Sequence, residues 1–202
     1  MKPLQLPPTL RTARLDEVTN PNEEVLKRLK ERETASIVEG YTLRPVPTGD
    51  YPFRFFCEIN IDNSRLWDLF KALVDTMPAD VSLIYGHIDE EPAYGRYRNK
   101  EDVLHILSPY SLELTQDGLL EFGVIYQDER MLQEVFVKRA KYIQYWGMDE
   151  APFRAVMQEF GLTQADELNF IDDFPLATEP LKAHHSEARD TEDVLKALAG
   201  EW

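Results

Sequence analysis

Only one cysteine, Cys57, occurs in the 202 residues. A lone thiol excludes an internal disulfide framework and a four-thiolate zinc site. No histidine lies near it in sequence, so a papain-like nucleophile has no basis; a buried strand thiol is ordinarily an inert small hydrophobe. The nine glycines are scattered. They form neither GxGxxG nor the Walker-type phosphate loop. The nucleophile elbow GxSxG is absent, and so is HExxH. No apolar run approaches the ~20 residues that cross a bilayer as a helix. The opening MKPLQLPPTL is too short and too rich in proline for a secretory signal, which sets a cytoplasmic expectation. Positive charge is also scarce, with 22 Lys and Arg against 37 Asp and Glu. Residues 1–50 are balanced at eight of each sign, whereas residues 101–202 hold eight basic and twenty-one acidic side chains, a net −13. Such a field repels nucleic acid and anionic membranes. It favours encounter with a basic protein partner, and it serves solubility equally well.

What is present is material for a core: ten Phe, nine Tyr and three Trp. A chain of this length is one domain, or at most two, and buries about 70% of its unfolded surface. The stretch DGLLEFGVIYQDERMLQEVFVKRAKYIQYWG, from Asp117 to Gly147, organises the rest. Asp117-Gly118 is a two-residue turn signal, with Leu112 and Leu114 alternating before it. Leu120, Phe122, Val124 and Tyr126 follow with period two. Val135 and Val137 alternate with Glu134, Phe136 and Lys138, and Lys141–Trp146 supplies a third strand. Short polar connections between the three favour an antiparallel meander.

Residues 1–20, with Pro3, Pro7 and Pro8, read as a surface arm. Asn20 is placed to cap a helix with Pro21 at its first position, and Val25, Leu26 and Leu29 give it a narrow apolar stripe. Its bases are cancelled by its acids, so a solvated face is expected. Tyr41–Pro52 is irregular or an edge strand. Phe53–Asn60 alternates as a strand, and Asp62-Asn63-Ser64 starts a helix with Leu66, Trp67, Phe70, Leu73, Val74 and Met77 on one face. Val81–Ile88 is the next strand, so Phe53–Ile88 has the form of a parallel crossover. Asp89–Lys100 is a polar loop, and Asn99 caps a helix that Pro109 ends. Asp149 caps a helix through Phe160, with Gly161 just past its end. Leu168–Phe174 has the pattern of a short edge strand. A polar linker follows from Pro175, and a terminal helix carries Val194, Leu195 and Leu198. The expected organisation is therefore an arm and helix over residues 1–50, a core domain over 51–175, and a linker with a terminal helix over 176–202. The fold class is α+β: a single mixed or mainly antiparallel sheet packed by three or more helices.

Candidate chemistry is sparse. His87 and Asp89 project from the same side of an extended strand end, beside Glu90 and Glu91, and could share a proton or a metal with Asp172 or Asp173. A metal-dependent hydrolase would need that set. An acidic loop with an incidental histidine is the plainer reading, and His184-His185 lies in the expected linker. No residue is assigned to catalysis, to a resident metal or to a cofactor. The loop Glu91–Arg98, EPAYGRYR, combines Tyr and Arg, the residue types that concentrate binding energy at interfaces. The expected partner-binding surface is Asp89, Glu90, Glu91, Tyr94 and Tyr97, with Asp128 and Glu129 from the meander turn. Self-association through the terminal arms is a further expectation.

FCEINID ahead of an amphipathic helix, DGLLEFGV and a Lys-Tyr-Ile strand together give a pattern over Phe53 to Pro175. It resembles that of the small bacterial immunity proteins of polymorphic or contact-dependent toxin systems. The resemblance implies a non-catalytic inhibitor that binds a toxin domain, its acidic side chains facing a basic substrate groove where the toxin is a nuclease.

Overall fold

The computed structural model describes residues 4–47, 49 and 51–201; Pro3, in the expected arm, lies outside them. The meander forms as its period demands. Strands run over Leu10–Thr12 (β1), Gly40–Pro45 (β2), Phe55–Asn60 (β3), Asp80–His87 (β4), Ala93–Tyr94 (β5), Arg98–Asn99 (β6), Leu120–Gln127 (β7), Leu132–Val137 (β8), Ile143–Gly147 (β9) and Leu176–Thr178 (β10). Helices run over Glu23–Thr34 (α1), Leu66–Asp75 (α2), Lys100–Leu107 (α3), Ser111–Gln116 (α4), Glu150–Glu159 (α5) and Thr191–Gly200 (α6). The main sheet has the order β2-β3-β9-β8-β7-β4-β5, with β6 also paired to β4, and every pairing within it is antiparallel. The architecture is thus α+β with a mainly antiparallel sheet built around a meander.

Four antiparallel steps separate β3 from β4, so these two strands point the same way. The expected crossover exists, but the meander strands β9, β8 and β7 sit between its two arms. Strict alternation divides the sheet into two faces. On one, the row Tyr85, Phe122, Val137, Ile143, Ile59 and Tyr41 crosses six strands. The next row, Leu83, Val124, Val135, Tyr145, Cys57 and Leu43, is equally apolar. Against them pack Phe70 and Leu73 of α2, Val103 and Leu107 of α3, Leu114 of α4, Phe153 and Met157 of α5, and Val194 and Leu198 of α6. Rings interlock there: Phe70 meets Phe122 edge-on at 4.9 Å, and Tyr145 lies 5.0 Å from Phe153. Cys57 is fully buried in this layer, and burial pushes its thiol pKa far up, so it stays protonated and inert.

Several local expectations are corrected. Asp117-Gly118 does not form a positive-φ turn; Leu112 and Leu114 belong to helix α4, and the Asp117 carboxylate accepts from the Leu119 amide at 2.9 Å. Pro109 does not end the helical run but sits in a 3-10 turn that joins α3 to α4. The cap of α1 is Asn22, which accepts from Val25 N–H at 2.9 Å, while Asn20 takes a positive φ of 52°. The loop 89–100 is not wholly irregular, because β5 and β6 fold back onto β4. Leu168–Phe174 contains no strand and includes a 3-10 turn at Ile171–Asp173. The strand comes later, as β10, and pairs with β1 of the N-terminal arm. A satellite cluster of Ile37, Ala140, Tyr142, Phe170, Ile171 and Phe174 anchors these terminal segments to one end of the sheet's second face. Arg189 ties the C-terminal segment down: its guanidinium lies 3.2 Å from the buried Glu113 carboxylate, which also accepts from its amide at 2.9 Å. Helix α1 buries no residue, as its charge pattern predicts.

Candidate functional site

Two surfaces merit description, and the first is the β5 edge. β4 reaches across the sheet from Asp80 to His87, and β5 pairs with it at Ile84↔Tyr94 and Tyr85↔Ala93. Beyond β5 no strand follows among the described residues. The opposite edge, β2, is different. There Tyr41 N–H donates to Thr163 O at 3.1 Å and Ala165 N–H donates to Tyr41 O at 2.9 Å, so residues 163–165 cap the edge at Tyr41. The β5 edge presents Tyr94 and Tyr97, 63% and 49% exposed. Tyr97 is not a loose loop residue. Its hydroxyl donates to Gln127 O at 3.1 Å and accepts from Gln127 N–H at 2.8 Å, fastening the loop to the end of β7. Its ring meets Tyr126 edge-on at 6.0 Å. The Tyr126 hydroxyl in turn donates to Asp128 at 3.0 Å. Asp128 also accepts from the amides of Arg130 and Met131, and these backbone donors hold its pKa below the usual carboxylate value.

The structure separates the residues expected to act together. Register places Gln127 and the Asp128–Glu129 turn toward the start of β4, and Asp89, Glu90 and Glu91 beyond its far end. From Ser82 to His87 the strand spans roughly 17 Å. The seven residues therefore mark two acidic ends of one edge, with the tyrosines between them, rather than one compact patch. His87 and Asp89 do approach each other, with Nδ1 to Oδ2 at 3.9 Å, although Asp89 remains largely exposed. Asp172 and Asp173 do not join them; they line a separate pocket that His87 does not reach. Among the described residues no group of three or more His, Cys, Asp or Glu is gathered closely enough to hold a metal ion.

That separate pocket is the second surface, and sequence reasoning missed it. It has a volume of about 720 Å³ and opens on the sheet face turned away from the helices. Thr42 and Arg44 of β2 and Glu58 of β3 form its sheet side. Tyr142, just before β9, and Phe170 border it, with ring centroids 4.6 Å apart. Asp166, Glu167, Asp172 and Asp173 complete the rim. Arg44 is the one basic residue of the lining among the described residues and reaches Glu58 at 3.3 Å. Burial raises the Asp172 pKa, and the neighbouring Asp173 charge adds to that; burial likewise drives the Tyr142 hydroxyl well above its ordinary value. No sequence motif could have announced this site, because its lining comes from four separated segments.

No family model, no curated protein and no solved structure matches this chain. Among the described residues no helix is long and apolar enough to cross a membrane.

Proposed function

We propose that the protein acts by binding another protein through the β5 edge, as an immunity-type inhibitor that neutralises a basic toxin domain by direct contact. The observation that carries this reading is the pair of exposed tyrosines on a sheet edge with carboxylates at both ends. Two features support it. Tyrosines give large contact area at low entropic cost, and the double hydrogen bond from Tyr97 to Gln127 already fixes the loop, so little ordering remains on binding. The two-residue length of β5 disfavours addition of a partner strand and leaves recognition to side chains. The net charge of −15 would speed encounter with a basic surface and make it sensitive to salt.

The test is copurification with the product of the adjacent reading frame, followed by calorimetry in rising salt. A stoichiometric complex that weakens with salt, and weakens at least about tenfold in Tyr94→Ala, is expected. A complex indifferent to Tyr94, Tyr97 and the flanking acids would overturn the assignment of this edge. The absence of any complex with a basic partner would overturn the function itself.

A further inference from the structure

We propose that the pocket between β2, β3 and the segment 166–173 is a binding site for a guanidinium group. The proposal does not depend on the β5 edge, which lies at the other end of the strand order.

Among the described residues the lining carries five carboxylates, from Glu58, Asp166, Glu167, Asp172 and Asp173, against the single cation of Arg44. An excess of acids alone says little, since an acidic surface serves solubility. The second observation is Thr42. This side chain is 5% exposed and lines the pocket, and its Oγ1 is buried with no hydrogen-bond partner among the described residues. A buried hydroxyl without a partner is unfavourable and uncommon in native proteins. Register sets Thr42 directly opposite Glu58, and Glu58 opposite Gln144, so the threonine and glutamate side chains leave neighbouring strands on the same face. A donor-rich ligand seated there would satisfy both. Among the described residues Glu58 is held only by long contacts, 3.3 Å to Arg44 and 3.4 Å to Gln144, and the Arg44 side chain is 68% exposed. That pair can open without loss of core packing.

The shape selects among cations. The carboxylates do not converge closely enough for an ion of metal size, as noted above. A pocket of about 720 Å³ suits an organic group. Tyr142 and Phe170 border the pocket beside the acids, each less than a tenth exposed. A guanidinium is planar, weakly hydrated and carries five donors in a fixed fork, so it bonds several separated carboxylates at once; an ammonium is compact and strongly hydrated. The ligand class is therefore arginine-like, and the group can arrive on a free small molecule or on an arginine side chain of another protein.

Titration of the full chain with free arginine, with the blocked residue N-acetyl-arginine-methylamide, and with the corresponding lysine compounds tests this by calorimetry. Saturable binding of an arginine probe at about 1 mM or tighter is expected, with lysine at least about tenfold weaker. Glu58→Gln combined with Asp172→Asn should abolish it, and Tyr94→Ala should leave it unchanged. Tighter binding of the blocked residue identifies a protein side chain as the source; tighter binding of free arginine identifies a small molecule. Thr42→Val provides a second reading that does not depend on charge. It should weaken binding while leaving the melting temperature of the free protein equal or higher, because an unmet hydroxyl is removed. No saturable binding, or binding that lysine and arginine share equally and that persists in the double variant, would overturn the proposal. Failure of the β5-edge test leaves these outcomes untouched.

Discussion

On the helix-covered face of the sheet, the row Tyr85, Phe122, Val137, Ile143, Ile59 and Tyr41 crosses six strands without a charged side chain. The adjacent row on the other face, Ile84, Gly123, Phe136, Gln144, Glu58 and Thr42, turns polar half-way. The strands are the same and the helices are not. Five helices insert side chains against the first face. The second has a small cluster of Ile84, Ile125 and Phe136, backed by Leu132 and Trp146. It also has the terminal cluster at one end and the acidic pocket. Where Phe136 lies across Gly123 there is no room for another side chain: a Cβ on Gly123 would come within 2.4 Å of Val135 O and 2.8 Å of the Phe136 ring. The first face is specified by packing, while the second keeps polar groups that packing alone would have replaced. One face is filled throughout by packed side chains, and the other is packed in two clusters with an open pocket beside them.

The largest expected effect sharpens that contrast. Phe122→Ala removes a ring from contact with Phe70 and Trp67 and should lower stability by about 3–5 kcal/mol in urea unfolding. Phe56→Ala, on the open face beside Trp146, should lose less than half as much. Equal losses would break the comparison.

Next comes Lys141, buried on the helix side of the turn between β8 and β9. Its Nζ donates to Leu114 O at 2.9 Å and Leu120 O at 2.7 Å, and its φ is +59°. Lys141→Ala leaves two buried carbonyls unmet and should cost roughly 2–4 kcal/mol. Burial lowers the Lys141 pKa to about 7, against partial opposition from Asp117 and Glu121. The unfolded side chain holds its proton to about pH 10.4. Between these values the unfolded state binds more protons, so stability rises with pH from about 7 upward. Lys141→Met should flatten that rise in a series of melts.

Glu134 supplies the opposite slope from the open face. It stands between Ile125 and Trp146 across the strands, and burial raises its pKa to about 7, offset in part by Lys138. An unfolded glutamate titrates near about 4.3. The folded state therefore binds more protons between those values, and stability falls as pH rises through the window. Glu134→Gln should remove that fall and stabilise the protein at pH 8 by about 1–3 kcal/mol. Together the two groups place a local stability minimum near pH 7. A monotonic wild-type profile across that range would contradict both assignments.

The smallest effects belong to the β5 edge. Tyr97→Phe loses two hydrogen bonds at a half-exposed site and should cost about 1 kcal/mol. Tyr94→Ala should stay within about 0.5 kcal/mol on chemical unfolding. A large loss at Tyr94 would recast it as a structural residue rather than a contact for a partner.

Much of this arrangement was legible beforehand wherever one short window carried the whole signal. Alternation across Phe122, Val124 and Val135 marked the meander, and the spacing from Leu66 to Met77 marked α2. Asn99 and Asp149 proved to be the caps, accepting from Glu101 and Ala151 amides at 3.0 Å each. The misreadings came where two local signals competed. Asp117-Gly118 looked like a hairpin turn because the alternation of Leu112 and Leu114 is also compatible with one turn of helix. The tail after Pro175 looked like a linker because its burial is spread thinly over Leu181, Ala188, Val194 and Leu198. The acidic pocket left no trace in sequence, because Thr42, Glu58, Tyr142 and Asp172 are ordinary residues until they meet.

By itself the sequence determined the period-two strands, the capped helices and the acidic excess, since each arises from neighbours a few positions apart. Only the tertiary structure decided which strands lie side by side, which end of the edge each acid occupies, and that a lysine, a threonine and a glutamate would lose water. Desolvation depends on what packs from elsewhere in the chain, and that is settled by contacts between residues far apart in sequence.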